Sequence, residues 1–214
     1  SQPIPLWLLF VAVQFMDVVW SILVFLGAEK LRIVPGFTAM NPLDLYYMPY
    51  THGLIGSLTL AALLGAVSEF FLPQKGRTFL VIAACVFSHW ILDLVVHVPD
   101  LPLVGNRMKV GFGLWRRLDI SLAAEFVTVS AGLWLMLRYA PSPNRPSNMR
   151  LWGLIGWLAV AQLFSTFGPQ PATPQIAAGM ALGAYVLFAL FAWQVDRARG
   201  PAEAGKVPAL QLSN

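Results

Sequence analysis

The stretch TFLVIAACVFSHWILDLVVHV, residues 78–98, decides how the chain must be read. At 1.5 Å per residue it is long enough to carry a helix across about 30 Å of hydrocarbon. Apart from two small hydroxyl side chains it is apolar, except for His89, Asp93 and His97. Those three follow an i, i+4, i+8 spacing, which at about 100° per residue keeps them within an arc of roughly 80° on one helix face. Ala84, Ile91 and Val95 fall opposite. A charged side chain inside a span costs at least about 2.5–3.5 kcal/mol on insertion scales, so a stripe of titratable groups needs a reason in the fold.

Working outward, five more stretches have the length and apolarity of spans: residues 5–28, 50–72, 118–138, 151–167 and 176–195. The composition agrees. Of 214 residues 57% are hydrophobic and only 11% are charged, with a mean hydropathy of +0.67, whereas a soluble domain carries about 25% charged residues to cover its surface. Backbone groups cannot stay unpaired in lipid, so the spans must be helices. The expected fold is all-α: a bundle of six transmembrane helices over residues 1–196, followed by a flexible polar tail over residues 197–214. The first span lacks a basic start and a small-residue cleavage pattern, and does not read as a cleaved signal. Pro and Gly in the short links 73–77 and 168–175 mark helix ends and make neighbouring helices antiparallel.

The net charge of +4 does not point to nucleic acid, because the basic residues flank the apolar runs and read as topology signals. Lys75, Arg77, Arg138, Arg145, Arg150, Arg197, Arg199 and Lys206 fall on one side of a six-span chain. Lys30, Arg32, Arg107, Lys109, Arg116 and Arg117 fall on the other. That excess places both termini in the cytoplasm, in what we expect to be a bacterial inner membrane. The single Cys85 excludes an internal disulfide and sits inside an apolar run, where it reads as packing.

The remaining titratable groups join the stripe. His52 opens the second span, Asp17 lies near the middle of the first, and Glu125 lies about two turns into the fourth. Polar stripes accompany them, with Gln14 and Ser21 in the first helix, Gly56 and Thr59 in the second, and Ser121, Thr128 and Gly132 in the fourth. Turning these faces inward together is the economical arrangement, since lipid would leave the groups unpaired. Counted from the outer face, His52 and His97 lie near the surface, Asp93 about 7 Å down, and His89, Glu125 and Asp17 roughly 12–16 Å down. Imidazole and carboxylate are the usual Zn²⁺ ligands at a hydrolytic site, so His52, His89, Asp93 and His97 are the expected metal ligands. Zn²⁺ is the first choice, with Mn²⁺ or Fe as further options and one or two ions left open. Glu125 and Asp17 are the candidates for general base or for orienting a ligating imidazole. The fifth and sixth helices carry no charged groups within their spans and read as scaffold or as a surface for membrane-protein partners.

The run from Pro49 through Tyr50, Thr51, His52 and Gly53 to Gly56, followed by Ser88, His89, Asp93, His97 and then Pro99 and Asp100, resembles a bacterial family of multi-pass membrane-bound metal-dependent hydrolases. The match covers about residues 49–100. In that family a His at a helix start, a Ser-His-x-x-x-Asp segment and often a further His form the metal signature, which here falls on His52, His89, Asp93 and His97. In the family the first His lies close to the chain start, whereas here a whole span bearing Asp17 precedes it.

The resemblance implies hydrolysis of an ester, amide or phosphoester presented at the bilayer interface. Arg107, Lys109, Arg116 and Arg117 stand above the expected site and suit either an anionic head group or simple interfacial anchoring. Three readings without hydrolysis compete with it. The chain could be a non-catalytic subunit of a respiratory or photosynthetic membrane complex, binding pigment or haem through His. The cluster could be a buried ion-pair network that fixes helix register. A proton or ion relay fits less well, because the cluster occupies only one half of the bilayer.

Overall fold

The computed structural model describes residues 4–140 and 145–199. Six helices follow one another: α1 (Leu6–Phe25), α2 (Leu54–Phe71), α3 (Arg77–Val96), α4 (Leu118–Tyr139), α5 (Arg145–Phe167) and α6 (Pro174–Arg199). Among the described residues five of them, all but α5, are long and apolar enough to cross a membrane, and they mark an integral membrane protein. The fifth expected span forms as a helix, but Arg150, Gln162 and the glycines at 153 and 156 dilute its apolar character. Residues 197–199, assigned to the tail, continue α6. Residues 200–214 lie outside the described residues.

Helix α3 is flanked by α1 and α2, α1 also packs along α6, and α6 along α5. Two buried clusters hold these contacts. Met16 and Ala12 of α1 meet Ala61 of α2 and Ile82, Val86 and Trp90 of α3, while Leu151 and Leu154 of α5 meet Ala192 and Val195 of α6. The antiparallel α1–α6 pair is pinned at its far end, where the Trp7 N–H in the exposed first turn of α1 donates to Asp196 Oδ2 at 2.9 Å. At the near end of α6, Pro174 occupies the first turn and Thr173 Oγ1 accepts from the Ile176 N–H at 3.2 Å. Helix α4 is marginal: of its 22 residues only Ser121 is buried.

The two long links form a cap over one end of the bundle, and there the all-helical expectation needs an addition. Residues Lys30–Ile33 (β1) and Leu43–Tyr47 (β2) pair as a two-stranded antiparallel sheet. Side chains alternate between faces along a strand, so Leu31 and Leu45 turn into a cluster with Trp20, Val24, Met48, Leu101, Ala177 and Ala178 while their neighbours stay out. Thr38 and Asn41 close the intervening turn: Thr38 Oγ1 accepts from the Asn41 N–H and Asn41 Oδ1 from the Leu43 N–H. The second link, after α3, lies against the first. Lys109 Nζ donates to the Tyr46 carbonyl at 2.7 Å, the Ala39 N–H to the Trp115 carbonyl and the Leu54 N–H to the Pro102 carbonyl. Lys109 thus holds the two links together.

Candidate metal centre

Beneath the cap, the middle of α1, the start of α2 and the second half of α3 converge. Asp17 comes from α1, His52 from the segment entering α2, and His89 and Asp93 from α3, with His97 capping the end of α3. Two contacts set this up. A Cβ on Gly56 would collide with the Tyr50 and Pro49 carbonyls, so the entering segment folds tightly onto the first turn of α2. The Trp90 indole N–H then donates to the His52 carbonyl at 2.9 Å and ties that segment to α3.

The side chains point at one another. His52 Nε2 lies 3.1 Å from Asp17 Oδ1 and 3.6 Å from Asp93 Oδ2, and His89 Nε2 lies 3.5 Å from Asp17 Oδ2 and 3.3 Å from Asp93 Oδ2. On its other side Asp93 presents Oδ1 to His97 Nε2 at 3.7 Å. Ligand atoms of Asp17, His52 and His89 all lie within 4.8 Å of one another. His52, Asp93 and His97 are buried, and Asp17 and His89 nearly so.

The opposite ring nitrogen of each imidazole is engaged away from this centre. His89 Nδ1 donates to the Val13 carbonyl at 2.8 Å, His97 Nδ1 lies 2.9 Å from Asp100 Oδ1, and His52 Nδ1 lies 2.8 Å from Thr51 Oγ1. Such partners fix ring orientation and tautomer at metal sites. A carbonyl can only accept, so His89 carries its proton on Nδ1 when neutral and aims the Nε2 lone pair at the two carboxylates. The Asp100 carboxylate imposes the same on His97.

Lone pairs of imidazole and carboxylate facing each other repel unless a positive charge stands between them. Among the described residues no Lys or Arg pairs with Asp17 or Asp93, so that charge is a proton or a metal ion. The distances leave room for an ion. Hydrogen bonds from N–H to oxygen cluster near about 2.9 Å, and of the five Nε2–carboxylate contacts only His52–Asp17, at 3.1 Å, comes near that distance, the others running from 3.3 to 3.7 Å. A tetrahedral ion about 2.0–2.2 Å from each ligand would set ligand atoms about 3.4 Å apart. Asp93 Oδ2, buried and without a hydrogen bond, faces both His52 and His89. The donor set therefore fits a divalent cation.

All four expected ligands enter the cluster, and Asp17, expected as base or orienter, stands among the ligand atoms. Glu125 does not join them: it is half-buried on α4, and its Oε2 is buried with no hydrogen-bond partner. Sequence reading missed four supporting groups. Tyr185, on a helix read as scaffold, donates its hydroxyl to Asp17 Oδ2 at 2.7 Å. Glu29, Thr51 and Asp100 back the histidines. The phenol of Tyr185 in an apolar span was the available signal, since such a group seeks a partner. Trp115 of the cap lies over the His97 ring, centroids 4.4 Å apart. No family of known sequences, characterised protein or solved structure matches the chain.

Proposed function

We propose that the chain is a membrane-embedded metal-dependent hydrolase, in which Asp17, His52, His89 and Asp93 hold a divalent ion, Zn²⁺ by preference, and His97 braces Asp93. The observation that carries this reading is the set of Nε2 atoms facing two carboxylates at ligand-edge distances while every Nδ1 is engaged outward. A bound ion would supply a water acidified toward about pKa 7 and polarise a carbonyl or phosphoryl oxygen. The chain's own part is to orient the imidazoles, to hold the carboxylates in place through Tyr185 and His97, and to shield the centre with the cap.

The centre lies under the cap, at the interfacial end of the bundle, so the substrate class is an ester, amide or phosphoester whose scissile bond reaches the head-group region. The cation distribution supports termini in the cytoplasm and a cap on the outer face of a bacterial inner membrane. The same contacts speak against haem or a chlorophyll-type pigment. Ligation by His89 needs an open face several ångströms wide before Nε2, and Asp17 and Asp93 occupy that face at 3.5 and 3.3 Å.

Elemental analysis of protein purified without chelators tests the reading. About one Zn, Mn or Fe per chain is the expected result, together with hydrolysis of an amphiphilic ester, amide or phosphoester that is lost with chelator and regained with metal. Protein free of stoichiometric metal would overturn it.

A further inference from the structure

Behind His52 stands a buried acid that the metal ligands do not include. Glu29 follows the end of α1, where the Ala28 and Glu29 N–H groups both close onto the Leu23 carbonyl, and it is 1% exposed. Its carboxylate accepts three hydrogen bonds. Oε1 takes the Tyr50 N–H at 2.8 Å and the Thr51 N–H at 3.0 Å, and Oε2 takes the Thr51 hydroxyl at 2.6 Å.

A hydroxyl has one proton to donate. Thr51 spends it on Glu29, so toward His52 Nδ1, 2.8 Å away, Thr51 Oγ1 can only accept. The neutral His52 ring must then carry its proton on Nδ1, which leaves the Nε2 lone pair directed at Asp17 and Asp93. We propose that Glu29 is a positioning residue for the metal centre: through Thr51 it sets the tautomer of His52 and so makes His52 a ligand. This rests on the metal reading of the site, although the tautomer itself can be observed without metal.

Glu29→Gln reverses the logic with almost no change of shape. The amide has one acceptor, and the two backbone N–H groups of Tyr50 and Thr51 claim it, because the amide NH₂ placed there would oppose two donors. The NH₂ therefore faces Thr51 and donates to it. Thr51 turns its own proton to His52 Nδ1, and His52 must move its proton to Nε2, where a ligand lone pair is needed. Thr51→Val removes the link altogether, and Thr51→Ser keeps it.

The test is zinc titration of the 214-residue chain in detergent micelles, in competition with a chelating fluorophore. Loss of an outer partner of a ligating His typically costs about 10–100-fold in metal affinity. That loss is expected for Glu29→Gln and Thr51→Val, with Thr51→Ser within about threefold of wild type and all proteins eluting as the same species. Should Glu29→Gln fail to fold, Thr51→Val against Thr51→Ser gives the same comparison. Wild-type affinity in both the Gln and Val variants would overturn the proposal while leaving the metal site standing. If wild type binds no zinc, the metal reading fails, and imidazole ¹⁵N spectra of metal-free protein with neutral rings decide the tautomer. A proton on Nδ1 of His52 in wild type and on Nε2 in Glu29→Gln supports the role of Glu29, and the same tautomer in both overturns it.

Discussion

Helices α3 and α4 each carry a carboxylate within an apolar run, and the two meet opposite fates. Asp93 on α3 faces His52, His89 and His97, supplied by its own helix and by the segment leading into α2. Glu125 on α4 keeps a buried oxygen with no hydrogen-bond partner. The cause is packing. Helix α3 is flanked by α1 and α2, both of which bring polar groups to the shared face, whereas α4 buries only Ser121 and leaves Phe126, Val127 and Trp134 exposed. A carboxylate in a span becomes part of a site where a facing element carries its complement. Without that complement it keeps a buried oxygen that no facing element satisfies.

The largest effects should separate these two helices outright. His89→Ala and Asp93→Ala are each expected to reduce bound metal from about one ion per chain to near zero by elemental analysis, whereas Glu125→Ala and Cys85→Ala keep the wild-type content. Loss of metal in Glu125→Ala would break the comparison by bringing α4 into the site. Chelation sharpens it. At free metal about 100-fold above Kd, binding stabilises the folded protein by about 2.7 kcal/mol, so EDTA should lower the melting temperature of wild type and of Glu125→Ala but leave Asp93→Ala unmoved.

A smaller effect contrasts glycines in the two regions. The Gly56 Cα faces the Tyr50 carbonyl so closely that an added methyl must push the His52 segment away, whereas Gly132 on α4 has open space around it. Overpacking of this kind costs about 1–3 kcal/mol. Gly56→Ala should therefore lower both the melting temperature and the metal content, and Gly132→Ala should change neither.

What could be read from the sequence follows the same division. The helices and the stripe on α3 were legible because lipid admits little but helix and because i, i+4, i+8 positions share a face whatever surrounds them. The convergence of Asp17 with His52 followed from the expense of leaving either in lipid. Glu125 met the same criterion and failed, because its stripe needed α4 to pack with α1–α3, and no local pattern encodes which helices become neighbours. The two-stranded sheet was obscured because its alternation is only a few residues long and lies within an aromatic run that also suits the membrane interface. Glu29, Thr51 and Asp100 were invisible as a group, since they matter only through partners that the fold supplies.

The smallest predicted effect concerns α6 against α5, two helices that looked alike as apolar scaffold. Tyr185 on α6 donates to Asp17 Oδ2 at 2.7 Å, whereas Gln162 on α5 donates to Thr166 of its own helix at 3.1 Å. Tyr185→Phe keeps the ring and removes one hydrogen bond to a charged acceptor, a loss of about 1.5 kcal/mol, or about tenfold in zinc Kd. Gln162→Leu should leave Kd unchanged. The sign of the Tyr185 effect is informative. If the phenol mainly withdraws electron density from the carboxylate, its removal makes Asp17 a stronger ligand and binding tightens. If it mainly holds Asp17 in the orientation that faces His52 and His89, binding weakens. A carboxylate on a single helix has free rotation about its own bonds, and Asp17 must meet two imidazoles on other elements at once, so orientation should dominate and the affinity should fall.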